Sequence, residues 1–191
     1  MPDVHEKALS PAHLKVADGK ASAPHNAPKP TGYKQSEIEQ IASLVAKAVG
    51  FLPGNDLTPL VEKLGGQFRY LDTEEYFFKG GTARIVIDSP GKFVISLHKL
   101  GGLFNNRFAI AHELGHYFLH SKMGQIPITA THSEKSVSPE EWEATVFAAA
   151  LLMPRSEVKR LSNQHLSDYD LSATFSVSPE AVSHWKKMIG V

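Results

Sequence analysis

The 191-residue chain contains no cysteine. This absence excludes disulfide bonds, thiolate metal sites and a cysteine nucleophile together. Any metal ligand must therefore come from histidine or from a carboxylate. A chain without cysteine fits a reducing compartment, and we predict that the protein is cytoplasmic.

The chain also lacks an excess of charge, because 20 Lys and Arg residues balance 20 Asp and Glu residues. A neutral chain has no overall field that attracts nucleic acid or an anionic membrane. The longest apolar run, residues 146–153, is too short to span a bilayer, and residues 1–7 lead into no secretory signal. These absences predict a protein that neither spans a membrane nor binds nucleic acid directly.

Large apolar residues are scarce between residues 1 and 34, whereas five of the twelve prolines lie there. A segment of this composition cannot bury enough apolar surface to offset the entropy lost on ordering. We therefore predict that residues 1–34 form a disordered tail. Its histidines, including His25, are scattered and are not expected to bind metal.

Hydrophobic periodicity predicts regular structure from residue 35 onwards. Helices are expected at residues 36–50, 56–66, 105–121 and 138–153, strands at 67–71, 82–87 and 92–97, and a loop at 122–135. Two helices, a small antiparallel sheet and further helices make an α+β fold. We expect one domain over residues 35–154.

Residues 155–191 contain three short helical patterns, of which the last two flank residues 176–178 and resemble a helix-turn-helix. From residue 155 onwards there are five Lys and Arg residues against four Asp and Glu residues, so no basic surface indicates DNA contact. The pattern favours a helical part that packs on the preceding domain.

The segment 107–120 contains the motif His-Glu-x-x-His at His112, Glu113 and His116. On a helix, residues four apart share a face, so both imidazoles can reach one zinc ion. Glu113 would take a proton from the attacking water. Ten histidines make a chance match less rare, but apolar residues surround the motif on most sides and predict a buried helix. Buried histidines beside a carboxylate favour a metal site.

A catalytic zinc ion takes three protein ligands. His120 lies one helical turn beyond the motif, about 6 Å along the axis, which is too far to complete the coordination; it is expected to support the ligands or the helix end. In the next predicted helix, Glu141 projects with the core stripe, whereas Glu140 and Glu143 point away from it. Glu141 also follows Ser138 at capping-box spacing, so spacing alone leaves both roles open.

Two stretches, RFAIAHELGHYFLH at residues 107–120 and EWEATVFAAALLMP at residues 141–154, resemble the ImmA/IrrE-type metallopeptidases. The resemblance extends upstream to residues 83–88 and downstream to residues 171–182, and it covers the chain from about residue 36 to its end. It implies a zincin-like metallopeptidase domain followed by a helix-turn-helix-like C-terminal part.

The resemblance also implies a function and a set of site residues. His112, His116 and Glu141 would hold Zn²⁺, with Mn²⁺ or Fe²⁺ as alternatives, and Glu113 would be the general base. The implied substrate is a helix-turn-helix transcriptional repressor, cut to activate stress, phage or mobile-element genes. Such an endopeptidase is expected to have narrow specificity and weak activity on generic substrates.

Thr145 departs from the family pattern, which usually has Asn or Asp four residues after the third ligand. That position can orient a metal-bound histidine. The departure supports an alternative hypothesis, a zincin-fold binding module with little or no catalysis, such as a toxin–antitoxin or partner-docking component. The residue that stabilises the oxyanion is not determined by the sequence; Tyr117, His120 and His132 are candidates.

Overall fold

The computed structural model describes residues 25–71, 83–98, 102–132 and 138–191. Its elements in chain order are α1 (Gln35–Val49), α2 (Thr58–Lys63), β1 (Gly66–Leu71), β2 (Ala83–Ser89), β3 (Lys92–His98), α3 (Leu103–Gly115) with a π-helical turn (His116–His120), β4 (Ile128–His132), α4 (Pro139–Leu152), α5 (Arg155–Asn163), α6 (Asp168–Phe175) and α7 (Pro179–Ile189). The predicted α+β class is confirmed.

The four strands form one sheet in the order β1-β3-β2-β4. β2 is antiparallel to β3, as predicted, and also to the unpredicted strand β4, but β1 is parallel to β3. The sheet is therefore mixed. β1 pairs with β3, and not with β2, the next strand along the chain. β4 lies inside the stretch 122–135 that was predicted to be a loop. Among its described side chains, Ile128 and Ala130 are the buried ones, and two apolar residues are too few for a strand pattern.

The core lies between the sheet and the helices. Alternate residues of β2, among them Ile85 and Ile87, are completely buried, which is the period-2 pattern of a strand with one covered face. In α4, nearly every residue from Ala144 to its end is buried. Such a helix is apolar on all sides and lies between other elements, here between α1 and α3.

Residues 25–34 belong to the predicted tail, and some of them contact the sheet. Asn26 forms a parallel bridge to the edge strand β4. The Asn26 N–H donates to the Pro127 carbonyl (3.2 Å), and the Asn26 carbonyl accepts from the Thr129 N–H (3.0 Å). His25 contacts Asp88 at 2.8 Å. These contacts are compatible with the composition of the segment, because backbone pairing needs no apolar side chains. Residues 1–24 lie outside the described residues.

The C-terminal helices share the core of the domain. Trp185 on α7 is 1 % exposed, and its indole N–H donates to the Met153 carbonyl at the end of α4 (2.8 Å). Val177, in the turn between α6 and α7, is also completely buried. None of the helices in the described part of the chain has the length and apolar character needed to cross a bilayer.

A carboxylate–guanidinium pair joins α1 to the start of α5. Arg155 donates through Nε and Nη2 to the two oxygens of Glu39 at 2.7 and 2.6 Å. Partial burial raises the pKa of Glu39, but the hydrogen bonds and the charge of Arg155 outweigh it, so this pKa lies below its ordinary value.

Replacing this carboxylate should therefore have a pH-dependent effect on stability. A group with a lowered folded pKa stabilises the fold above its unfolded pKa, near 4.3, and loses this contribution as pH falls. We expect Glu39→Gln to lower the free energy of unfolding by about 1 kcal/mol at pH 7, and this loss should shrink as the pH falls through the lowered folded pKa. Urea denaturation at a series of pH values measures the loss. Glu157→Gln, which removes an exposed pair with Arg160, should change little; equal stability of Glu39→Gln and wild type at pH 7 would contradict the expectation.

Candidate metal centre

The α3 helix presents two histidines on one buried face. His112 and His116 are 0 % exposed, and their Nε2 atoms lie 3.2 Å apart. Residues four apart on a helix lie one above the other, so both rings point to the same place. The spacing argument from the sequence is thus realised in the structure.

The α4 helix brings a carboxylate to the same place. Oε2 of Glu141 lies 3.1 Å from Nε2 of His112, and Oε1 lies 3.2 Å from Nε2 of His116. Ser138 precedes the helix but makes no side-chain capping hydrogen bond. Of the two roles that spacing left open for Glu141, the structure therefore shows the one beside the histidines and not the capping box.

A glycine allows the two helices to come this close. A Cβ atom added to Gly115 would lie 2.9 Å from the Cα atom of Ala144, a distance that real Cβ atoms essentially never show. Gly115 lies between the two histidines in α3, and Ala144 lies three residues after Glu141 in α4. Small residues at this crossing therefore determine the distance from the histidines to Glu141.

The three side chains fit a metal ion. One atom from each of His112, His116 and Glu141 can be chosen so that all lie within 4.8 Å of one another. Two imidazole nitrogens and one carboxylate oxygen are a ligand set that zinc accepts, with a fourth position left open. The group could hold a metal ion.

The second nitrogen of each histidine also has a partner. Nδ1 of His112 lies 3.3 Å from the Thr145 hydroxyl, and Nδ1 of His116 lies 2.9 Å from Nδ1 of His120. Partners of this kind fix the orientation and the tautomer of a metal-binding ring. Thr145 and His120 thus lie where support for the ligands was predicted.

Glu143 is the residue that sequence reasoning missed, since it was expected to point away from the core. It is 2 % exposed, and its Oε2 atom lies 2.9 Å from Nε2 of His120. Its carboxylate also accepts hydrogen bonds from the N–H groups of Thr31 and Gly32 at 2.8 and 2.7 Å. The helix face that it occupies is covered by residues assigned to the tail, so helical periodicity alone gave no signal.

The charges of His120 and Glu143 follow from the surroundings of the two side chains. Burial, followed by the proximity of His116, lowers the pKa of His120 despite the hydrogen bond to Glu143. Burial alone raises the pKa of Glu143. The hydrogen bonds from Thr31, His120 and Gly32 lower this pKa by more than burial raises it, so the net shift is downward. At neutral pH a neutral imidazole therefore faces an ionised carboxylate.

Tyr117 and His132 are the other two residues that the sequence offered for stabilising the oxyanion. The Tyr117 ring packs on Phe93 with centroids 4.4 Å apart, and its hydroxyl accepts from the Gly91 N–H at 3.4 Å. The hydroxyl is thus directed to the β2–β3 turn, which argues against an oxyanion role. The side chain of His132 lies outside the described residues.

Glu113, the predicted general base, is completely buried.

The comparison with known families supplies the identity of the domain. Residues 63–185, more than half of the chain, match the family model of the peptidase M78 family, described as the IrrE N-terminal-like domain. The chain belongs to this family. No curated protein matches it. The match contains α3, α4 and all three residues of the metal-binding group, so this IrrE-like chain has a metallopeptidase-like domain.

The Thr145 hydroxyl should contribute to metal binding if it orients His112. Loss of a hydrogen bond to a metal ligand typically weakens metal affinity 10- to 100-fold, and we expect Thr145→Val to fall near the lower limit because the contact is long. Competition with a chromophoric chelator measures the zinc Kd. Thr174→Val removes the hydroxyl of an exposed threonine on α6 and is the matched control. An unchanged Kd for Thr145→Val would show that the hydroxyl does not support the ring.

Proposed function

We propose that the protein is a zinc-dependent endopeptidase. His112, His116 and Glu141 bind the ion, with Mn²⁺ or Fe²⁺ as alternatives, and Glu113 is the general base. The observation that carries the proposal is the convergence of two imidazoles and a carboxylate in a buried group of a peptidase-family domain.

The assigned chemistry uses each side chain in a separate role. A bound zinc ion would supply Lewis acidity to the attacking water and to the scissile carbonyl. The Glu113 carboxylate accepts the proton of that water and delivers it to the leaving amine. Because Glu113 follows a ligand directly in the helix, its position relative to the ion is set by the backbone.

The proposed substrate is a helix-turn-helix transcriptional repressor, which places the enzyme in regulation of stress, phage or mobile-element genes. Support comes from burial: His112, Glu113 and His116 have no exposed surface, and Glu141 is 7 % exposed. A peptide can reach these atoms only after the surrounding residues move. A site that opens for one partner protein has narrow specificity and cleaves generic peptides slowly.

A binding module without catalysis is the second candidate. The same burial favours it, together with Thr145, whose hydroxyl is a weaker partner for His112 than an amide or a carboxylate. Elemental analysis of the purified protein separates the candidates, because a folded chain that takes up no metal at saturating zinc would be a binding module.

Removing the base should separate metal binding from cleavage. We expect Glu113→Gln to bind one equivalent of zinc with wild-type affinity and to lose at least about 100-fold in kcat, since general-base catalysis contributes on the order of 10² to 10⁴. Mass spectrometry of the metal content and a cleavage assay give the two values. His112→Ala should lose both properties. Cleavage by Glu113→Gln at the wild-type rate would exclude the base assignment.

The partner can be tested with a regulator encoded next to the gene. Incubation of the wild-type protein with that purified regulator should produce two defined fragments, and a chelator should abolish cleavage until zinc is restored. Casein serves as the generic substrate and should be cut far more slowly. If the regulator is bound tightly but stays intact under all metal conditions, the binding-module candidate is correct instead.

A further inference from the structure

A chain of hydrogen bonds runs from His116 to the backbone of the N-terminal segment. Nδ1 of His116 contacts Nδ1 of His120 at 2.9 Å, and Nε2 of His120 contacts Glu143 at 2.9 Å. The N–H groups of Thr31 and Gly32 then bind the two carboxylate oxygens at 2.8 and 2.7 Å. The three side chains are at most 5 % exposed, so water does not compete for these contacts.

Both ends of this pair of histidines face a carboxylate. Nε2 of His120 lies 2.9 Å from Oε2 of Glu143, and Nε2 of His116 lies 3.2 Å from Oε1 of Glu141. If Nε2 of His116 binds a metal ion, the proton of that ring must lie on Nδ1, because a neutral imidazole has one N–H donor and one acceptor nitrogen. Nδ1 of His120 can accept from it only if His120 carries its own proton on Nε2, the nitrogen beside Glu143. Glu143 therefore favours the arrangement that metal binding at His116 requires.

We propose that Glu143 is a positioning residue that acts through His120 and holds the ring of His116 in the orientation able to bind a metal ion. The inference rests on the proposed function, because Nε2 of His116 is the atom assigned to the ion. It adds Glu143, His120 and the backbone of residues 31–32 to the metal centre. A ligand ring whose second nitrogen already has a partner needs no rotation on binding.

The N-terminal segment holds the carboxylate in its orientation. Thr31 donates to Oε2 and Gly32 donates to Oε1, so the two oxygens are fixed separately and the carboxylate cannot rotate. Gly32 has φ +75°, a conformation in which other residues are strained. The segment therefore supports the centre through its backbone path.

Glu143→Gln tests the inference without changing side-chain size. An amide has one acceptor oxygen, so its NH₂ group must face either the Gly32 N–H or the side occupied by Thr31 and His120. We expect the zinc Kd to rise 10- to 100-fold and His120 of the zinc-loaded protein to lose its single tautomer. Chelator competition measures the Kd, and ¹⁵N NMR of the histidine rings in the zinc-loaded protein reports the tautomers. Glu140→Gln removes a charge from the same helical turn and should leave both readouts unchanged.

A double-mutant cycle shows whether Glu143 acts through His120. His120→Asn retains an acceptor next to His116 but is too short to reach Glu143. In that background Glu143→Gln should have no further effect on the Kd, since coupled residues give non-additive losses. Additive losses would mean that Glu143 acts only on general stability and would overturn the proposal.

The contribution of the segment can be tested with two left-handed glycines. Gly32 and Gly50 have φ +75° and +73°, and an added Cβ would meet nothing within 4 Å at either position. Gly32→Ala and Gly50→Ala should thus cause similar losses of thermal stability, whereas Gly32→Ala alone should weaken zinc binding. Equal zinc affinities of the two variants would exclude a role for the segment.

The two levels of inference fail in different ways. A wild-type protein that binds no zinc contradicts the proposed function. In a protein that does bind zinc, an Nδ1–H proton on His116 and an Nε2–H proton on His120 support the hydrogen-bond chain. An Nδ1–H proton on His120, or an unchanged zinc Kd in Glu143→Gln, overturns the inference and leaves the proposed function intact.

Discussion

The close crossing of α3 and α4 is the constraint on which the candidate site depends. Gly115 leaves no space for a side chain above Ala144, and the two ligand histidines lie on one side of this contact and Glu141 on the other. Protein interiors transmit small displacements because they are packed to crystal density. The geometry of the metal group is therefore a property of the core, and the sheet below α3 and α1 beside α4 hold the two helices in place.

A buried group of this polarity requires partners for every side chain. Isolated polar groups in an apolar interior cost several kcal/mol unless they form hydrogen bonds. His112 is matched by Thr145, and His116 by His120. The negative charge of Glu143 is balanced by two backbone donors and an imidazole N–H. This need explains why residues far apart in the chain meet behind the metal group.

The sequence predicted the elements with strong periodicity and the residues with motif spacing. The helices around His112 and Glu141, the hairpin of β2 and β3 and the α+β class are all found. β4 was missed because it is short: Ile128 and Ala130 alternate with threonines, but two apolar positions are too few to distinguish a strand from a loop. The parallel pairing of β1 was missed because strand order depends on tertiary packing. Glu143 was misjudged because its environment comes from residues 31–32, and helical periodicity describes the faces of one helix without showing what covers them.

The extent of the functional unit follows from the same physics. The family match begins at residue 63, yet two donors to Glu143 come from residues 31 and 32. Backbone N–H groups are present in every residue except proline, so the path of the chain matters more than its side chains. A family pattern describes residue types, so it contains little information about a contact made by the backbone. Here the main trace of that contact in the sequence is Gly32, which has a left-handed conformation. The unit that holds the buried carboxylate is therefore larger than the unit that a family pattern recognises.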